Sequence, residues 1–326
     1  MITVNTTFKE IRELENLKIV FPYLIGNGEA MLSQDKTFND LQTTTPTWDA
    51  QDMVYGLQRL KEIADTKQTF LYDVYTAEEI NKEPNKVHVK LIHFPSADNK
   101  KFVILAAGGA YGAVCSLVEA FPVAAKLNEL GITVFCLNYR VGPPELMPKP
   151  MEDLAAAYKL IDKNKELFQV DPNHYGVGGF SAGGHLAGAW GTNGLGYRKY
   201  NVPKPEILLL DYPFLSMWRT LQEVPEEMAK LMLTGYFGED YSEEKCKPYN
   251  IDENIDEKYP PVYLVHAEDD TTVPIWNSRD MVKALEKNNI TYQFEQLKTG
   301  GHGFGLGSNS EAAGWVKRAI DFWNSL

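Results

Sequence analysis

Cysteine is scarce: Cys115, Cys136 and Cys246 are all that a chain of 326 residues contains. The number is odd and no pair is spaced C-x-x-C, so neither a disulfide framework nor a thiolate zinc site is indicated. Positive charge is short as well. Lys and Arg total 32 against 44 Asp and Glu, a formal charge of −12, and no basic run stands out. Such a balance argues against a nucleic-acid partner or an anionic membrane surface. Long apolar runs are missing too. No stretch approaches the roughly 18 residues of a spanning helix. The first apolar run, Leu17 to Ile25, follows Glu13 and Glu15 and contains Pro22, which does not suit a signal peptide. The expectation is a soluble, cytoplasmic protein without nucleic-acid or membrane partners.

What is plentiful is core material. Apolar residues make up 44% and charged residues 23%, which excludes wholesale disorder. No internal repeat or low-complexity tract is visible. Residues 1–68 read as an N-terminal extension whose clearest element runs from Asp49 to Ala64, with Met53, Val54, Leu57, Leu60 and Ile63 at helical spacing. From Thr69 the pattern changes. Phe70–Tyr75 and Val87–Ile92 alternate as half-buried strands do. Continuous apolar runs follow at Phe102–Ala106, Ile132–Leu137, Ile207–Leu210 and Val262–Val265, as in strands of a buried parallel sheet. Helical patterns lie between them, at Leu117–Leu130, Met151–Asn164, Ala182–Trp190, Ser278–Lys287 and Glu311–Trp323. The alternation predicts an α/β domain over residues 69–326. One interval breaks it: Pro213 to Tyr259 is 47 residues long, too long for a structureless loop. It reads as an inserted cap. Phe214, Met217, Trp218, Met228, Leu231, Met232, Tyr236 and Phe237 are its candidates for walling a pocket, with part of the set expected to form the cap's own core.

The strongest local signal is Gly179-Phe180-Ser181-Ala182-Gly183, which fits G-x-S-x-G. A strand that turns straight into a helix is crowded, so residues two before and two after the serine need to be small. Chance alone would give about 0.1 such matches in a chain this long at ordinary Gly and Ser usage. The apolar strand before Ser181 and the Ala/Leu pattern after it sharpen the reading. A dinucleotide fingerprint is the bland alternative, but Gly176-x-Gly178-x-x-Ser181 has Ser at its sixth position and follows a late strand.

A serine hydroxyl needs a base, and the base needs a carboxylate to fix its tautomer. His302 lies in Gly300-Gly301-His302-Gly303, where flanking glycines let an imidazole come close; His185 and His266 read as structural, and His88, His93 and His174 lack context. The acid comes from the turn Glu268-Asp269-Asp270, two of whose members should be ordinary solvated acids. Chain order is then Ser181, acid, His302, the order of α/β-hydrolases. Ala107-Gly108-Gly109-Ala110-Tyr111-Gly112 follows the Phe102–Ala106 strand, and two small residues there can turn backbone N–H groups toward an oxyanion, joining the N–H of Ala182.

From about Thr69 onward the chain resembles α/β-hydrolase esterases, close to the hormone-sensitive-lipase-like and acetylxylan/feruloyl-esterase-like carboxylesterases. The motifs carrying this are Ala107-Gly108-Gly109-Ala110-Tyr111, Asn138-Tyr139-Arg140, Gly179–His185, His266–Pro274 and Gly300–Phe304. The resemblance implies a mostly parallel sheet of about eight strands flanked by helices. Aligned to the family's H-G-x-x-D-x-x-V-P, the acid falls on Asp270; aligned to HGGG, the oxyanion donors fall on Gly109 and Ala110. The histidine and last glycine of HGGG are Ala107 and Ala110 here, a departure that leaves backbone donors in place. It further implies a serine carboxylesterase acting on short acyl esters such as acetate on a sugar or plant polysaccharide, with no metal or organic cofactor. A peptidase of the prolyl-oligopeptidase type lacks room for a propeller, and a silent hydrolase fold used for binding would not require an intact triad together with the oxyanion turn. The oligomeric state stays open, a homodimer included, as does the role of residues 1–68.

Overall fold

The computed structural model describes residues 1–96 and 98–326. The apolar runs form the middle of one eight-stranded sheet: β1 (Leu71–Asp73), β2 (Lys90–Phe94), β3 (Phe102–Ala106), β4 (Thr133–Asn138), β5 (Tyr175–Phe180), β6 (Ile207–Asp211), β7 (Val262–Ala267) and β8 (Tyr292–Leu297). Their spatial order is β1-β2-β4-β3-β5-β6-β7-β8. The pairs β1/β2 and β2/β4 are antiparallel, and every other neighbouring pair is parallel. Strands β3 to β7 are buried along their whole length, which is why β3, β4, β6 and β7 read as unbroken apolar runs rather than alternations. Helix Ala120–Glu129 packs on β4, helix Ser181–Gly191 on β5 and β6, and helix Trp315–Ser325 on β7.

One strand starts later than its alternation suggests. Pro84 opens a 3-10 turn that runs through His88, Val87 is exposed, and β2 begins at Lys90. Strand β2 is paired on both sides and buried from Leu91 to Phe94, so the Val87–Ile92 alternation did not report a half-buried strand.

Residues 1–68 fold as short, well-capped helices. Thr7 with Glu10 and Thr37 with Asp40 form capping boxes, and the Asp49 carboxylate accepts the N–H groups of Gln51 and Asp52 at the head of helix Ala50–Asp65. Each cap is worth about 1 kcal/mol. Met53, Leu57, Leu60 and Ile63 are buried. The mid-helix Gly56 has a packing reason: a Cβ there would lie 2.5 Å from the backbone nitrogen of Pro122. The helix therefore lies directly on helix Ala120–Glu129, and Arg59 donates to Asn128 Oδ1 from Nε at 3.0 Å and Nη2 at 2.6 Å.

Between Pro213 and Tyr259 the chain forms helices Met217–Gln222, Glu226–Phe237 and Glu243–Cys246. Phe214, Met217, Leu233 and Tyr236 are buried, whereas Met228 and Leu231 are 50% and 73% exposed. These last two face solvent instead of walling a pocket, because the helix buries the opposite stripe. No helix among the described residues is long and apolar enough to cross a membrane.

Candidate active site

Strand β5 passes without a loop into helix Ser181–Gly191, and Ser181 takes φ 52° at the junction. A non-glycine residue there carries strain on the order of 1–3 kcal/mol. The crowding expected from the motif is present. A Cβ on Gly179 would lie 2.0 Å from the carbonyl oxygen of Gly183, and one on Gly183 would lie 2.0 Å from that of Ala106. Only hydrogen fits at either position.

The Ser181 hydroxyl donates to His302 Nε2 at 2.8 Å, and His302 Nδ1–H donates to Asp270 Oδ2 at 2.7 Å. The acid at the imidazole is Asp270, one residue beyond Asp269. Its other oxygen, Oδ1, accepts the N–H groups of Thr272 and Val273 at 2.8 and 2.9 Å. Burial works against its charge, but hydrogen bonds from His266 and His302 outweigh it and hold the carboxyl down at about 2. Of its neighbours in the turn, Glu268 pairs with Arg279 at 3.1 Å on the surface. Asp269 is exposed but does more than meet solvent: its Oδ1 accepts the N–H of Gly301 at 2.8 Å.

The loop after β3 is strained in series. Gly109, Ala110 and Tyr111 hold φ 127°, 50° and 55°. A Cβ on Gly108 would lie 2.7 Å from Ser181 Cβ, so this loop presses on the serine itself. The Gly108 N–H is occupied, donating to Glu119 Oε2 at 2.5 Å. The N–H groups of Gly109 and Ala110 meet no acceptor among the described residues, and that of Ala182 belongs to the first helical turn, which has no intrahelical partner. From β4, the Tyr139 hydroxyl donates to the carbonyl of Ala107 at 2.6 Å.

Three residues in this neighbourhood escaped sequence reasoning. Glu119 is buried between the two loops: its Oε1 accepts from the Tyr212 hydroxyl at 3.1 Å, and that hydroxyl accepts the Gly305 N–H at 2.9 Å. Burial raises the Glu119 carboxyl to about 7, against the opposing pull of the Gly108 N–H, the His302 charge and the Tyr212 hydroxyl. Tyr212 itself is strained at φ 37° and sets its ring edge-on to His302, centroids 4.9 Å apart. His266 was read as structural, yet its Nε2–H points at Asp270 Oδ2 (3.1 Å) and the Val273 carbonyl (2.9 Å) while Nδ1 accepts from Ser278. Its position four residues before Asp270 was the available signal. His185 keeps its structural reading. It takes a hydrogen bond from the Tyr111 hydroxyl at 2.7 Å and donates to the Tyr249 carbonyl at 2.9 Å, and burial lowers its pKa to about 4. It thereby ties the strained loop to the inserted segment, whose Tyr236 hydroxyl donates to the Ala110 carbonyl at 2.9 Å.

A mostly parallel sheet in which β2 alone runs against the other strands, a strained serine at the head of the helix after β5, and acid and imidazole following in chain order define an α/β-hydrolase. Within that class the chain belongs to the BD-FAE family, which its residues 92–285 match. That segment includes Ser181 and Asp270 and stops short of His302. The chain is 26% identical over 217 residues to an acetylxylan esterase of Xylanibacter ruminicola, covering 66% of this chain and 43% of that one. It is 24% identical over 217 residues to endo-1,4-β-xylanase B of Butyrivibrio fibrisolvens, covering 64% of this chain and 33% of that one. It thus spans less than half the length of these curated relatives. Among solved structures, an acetyl ester-xyloside bifunctional hydrolase from Caldicellulosiruptor lactoaceticus superposes with TM-score 0.67 and 28% identity, over 78% of this chain and 95% of that one.

Proposed function

We propose that this protein is a serine carboxylesterase that hydrolyses short-chain esters, acetyl groups on sugars or plant polysaccharides foremost. The observation that carries the reading is the relay of 2.8 Å from Ser181 to His302 and 2.7 Å from His302 to Asp270. In it Ser181 attacks the ester carbonyl as His302 takes its proton, and the N–H groups of Gly109, Ala110 and Ala182 receive the oxyanion. The imidazolium, steadied by Asp270, protonates the leaving alcohol. Water activated by the same imidazole then releases the acid from the acyl-enzyme. Family membership and the acetyl-ester names of two relatives support the substrate class. Three buried free cysteines suit a reducing, cytoplasmic compartment.

The experiment is fluorophosphonate labelling combined with p-nitrophenyl esters of graded chain length and acetylated xylo-oligosaccharides. Labelling at Ser181, with acetyl and propionyl esters cleaved far better than octanoyl, is the expected result. No labelling would point to a silent fold used for binding, and a preference for octanoyl esters would overturn the short-chain assignment.

A further inference from the structure

Residues 1–68 precede the family segment altogether, yet they grip both loops of the site. On one side they hold the strained loop after β3. The Leu117 N–H donates to the Leu24 carbonyl at 2.7 Å, Gly26 and Val114 exchange both backbone hydrogen bonds at 2.9 Å, and Asn27 Nδ2 donates to the Gly112 carbonyl at 2.7 Å. Two consecutive non-glycine residues with positive φ, Ala110 and Tyr111, are strained and persist only where surroundings over-determine them. On the other side stands His302, between Gly301 at φ 62° and Gly303 at φ 80°. Glycines on both flanks give its peptide freedom that the imidazole must not have. Thr47 removes it: its hydroxyl donates to the His302 carbonyl at 2.6 Å. The Trp48 indole closes on Gly303, where a Cβ would lie 3.0 Å from Nε1, and Asp52 Oδ2 accepts the Ser308 N–H at 3.0 Å.

We propose that the N-terminal segment is a working part of the active site, in which Thr47 and Asn27 are positioning residues that fix the imidazole loop and the oxyanion loop relative to each other. The proposal rests on the reading of Ser181, His302 and Asp270 as the catalytic relay. Each acts through a loop backbone, Thr47 on the carbonyl of His302 and Asn27 on that of Gly112, and a misplacement of about 1 Å in a catalytic loop can cost on the order of 10²-fold.

The test uses the full chain and three variants, Thr47→Val, Thr47→Ser and Asn27→Ala. The readouts are kcat and KM on p-nitrophenyl acetate, the second-order rate of fluorophosphonate labelling at Ser181, and Tm. Thr47→Val keeps the shape and loses the donor. It is expected to lower kcat by about 10- to 100-fold and the labelling rate by a similar factor, with KM within about twofold. Thr47→Ser restores the donor and should return kcat to within about threefold of the wild type, and Asn27→Ala should lose about tenfold in kcat. Wild-type kcat and labelling in Thr47→Val overturn the proposal. So does a loss that follows Tm and is not recovered by serine. Should Thr47→Val fail to fold, Asn27→Ala decides: unchanged kcat and labelling there overturn the proposal equally. A wild type that neither labels nor cleaves esters overturns the esterase reading itself, and the two failures are thereby told apart.

Discussion

Changing Asp270 to Asn tests the relay where its wiring is fullest. Four donors meet the carboxylate: backbone N–H groups of Thr272 and Val273 on Oδ1, and His302 Nδ1 and His266 Nε2 on Oδ2. An amide has one acceptor end. If its oxygen keeps the two backbone donors, its NH₂ faces two imidazole N–H groups. His302 then escapes the clash only by moving its proton to Nε2, which presents a donor to Ser181 and removes the base. Turning the amide around sets NH₂ against two backbone N–H groups instead. That second placement would keep the productive tautomer but leaves two backbone donors without an acceptor, so the first prevails, the base is lost, and kcat should fall by about 10⁴, close to 5.4 kcal/mol in the barrier. Asp269→Asn supplies the control one residue away, since its amide oxygen can still accept the Gly301 N–H; its kcat should stay within about tenfold. The assay is steady-state hydrolysis of p-nitrophenyl acetate, with near-ultraviolet circular dichroism to establish that both variants are folded. Asp270→Asn within tenfold of wild type, or the two variants in reversed order, would refute the reasoning.

Ser181→Ala removes one oxygen and should leave the fold intact while reducing turnover to the residual ~10³-fold over water that an oxyanion site retains; wild-type hydrolysis by this variant would sink the mechanism. Glu119→Gln is expected to be tolerated within about tenfold in kcat, because its oxygen can keep the Gly108 N–H while its NH₂ donates to the Tyr212 hydroxyl. Its signature lies in stability instead. A carboxyl raised from 4.5 to about 7 binds protons in the folded state that the unfolded chain has released, so wild-type stability falls as pH rises from 4.5 to 7. That slope, about 3 kcal/mol at full extent, should be absent from Glu119→Gln in urea titrations at a series of pH values. His266→Ala takes one donor from Asp270. The stability that Asp270 contributes is present above 3.8 and lost as pH falls toward about 2, so this variant should begin to unfold at a higher pH than the wild type, as acid titration monitored by fluorescence would show.

Local rules carried far in this chain, and their limits are physical. Ser181 and His302 were legible because crowding at the elbow and freedom around the imidazole leave glycines at fixed offsets, and alignment of the turn placed the acid on Asp270. The inner strands were legible because full burial leaves no alternation. Glu119 was invisible: a single acid just ahead of a helix looks the same whether it meets solvent or Gly108 and Tyr212. Met228 and Leu231 misled for a related reason, since apolar character does not tell which stripe of a short helix the rest of the protein covers. Thr47 is the clearest case. Nothing within dozens of residues of it announces its partner, because the partner stands 255 positions away.

That separation bears on how the site is assembled. Thr47 leaves the ribosome about 255 residues before His302, and Asp52 waits 256 residues for Ser308. Closing so long a stretch of chain has little local contact to assist it and belongs late in assembly. The sheet and the elbow can be built from nearer neighbours, so a nascent chain can acquire a packed core while the imidazole still lacks its fixed place. On the proposed mechanism, competence then waits until the loop around His302 meets a residue made 255 positions earlier.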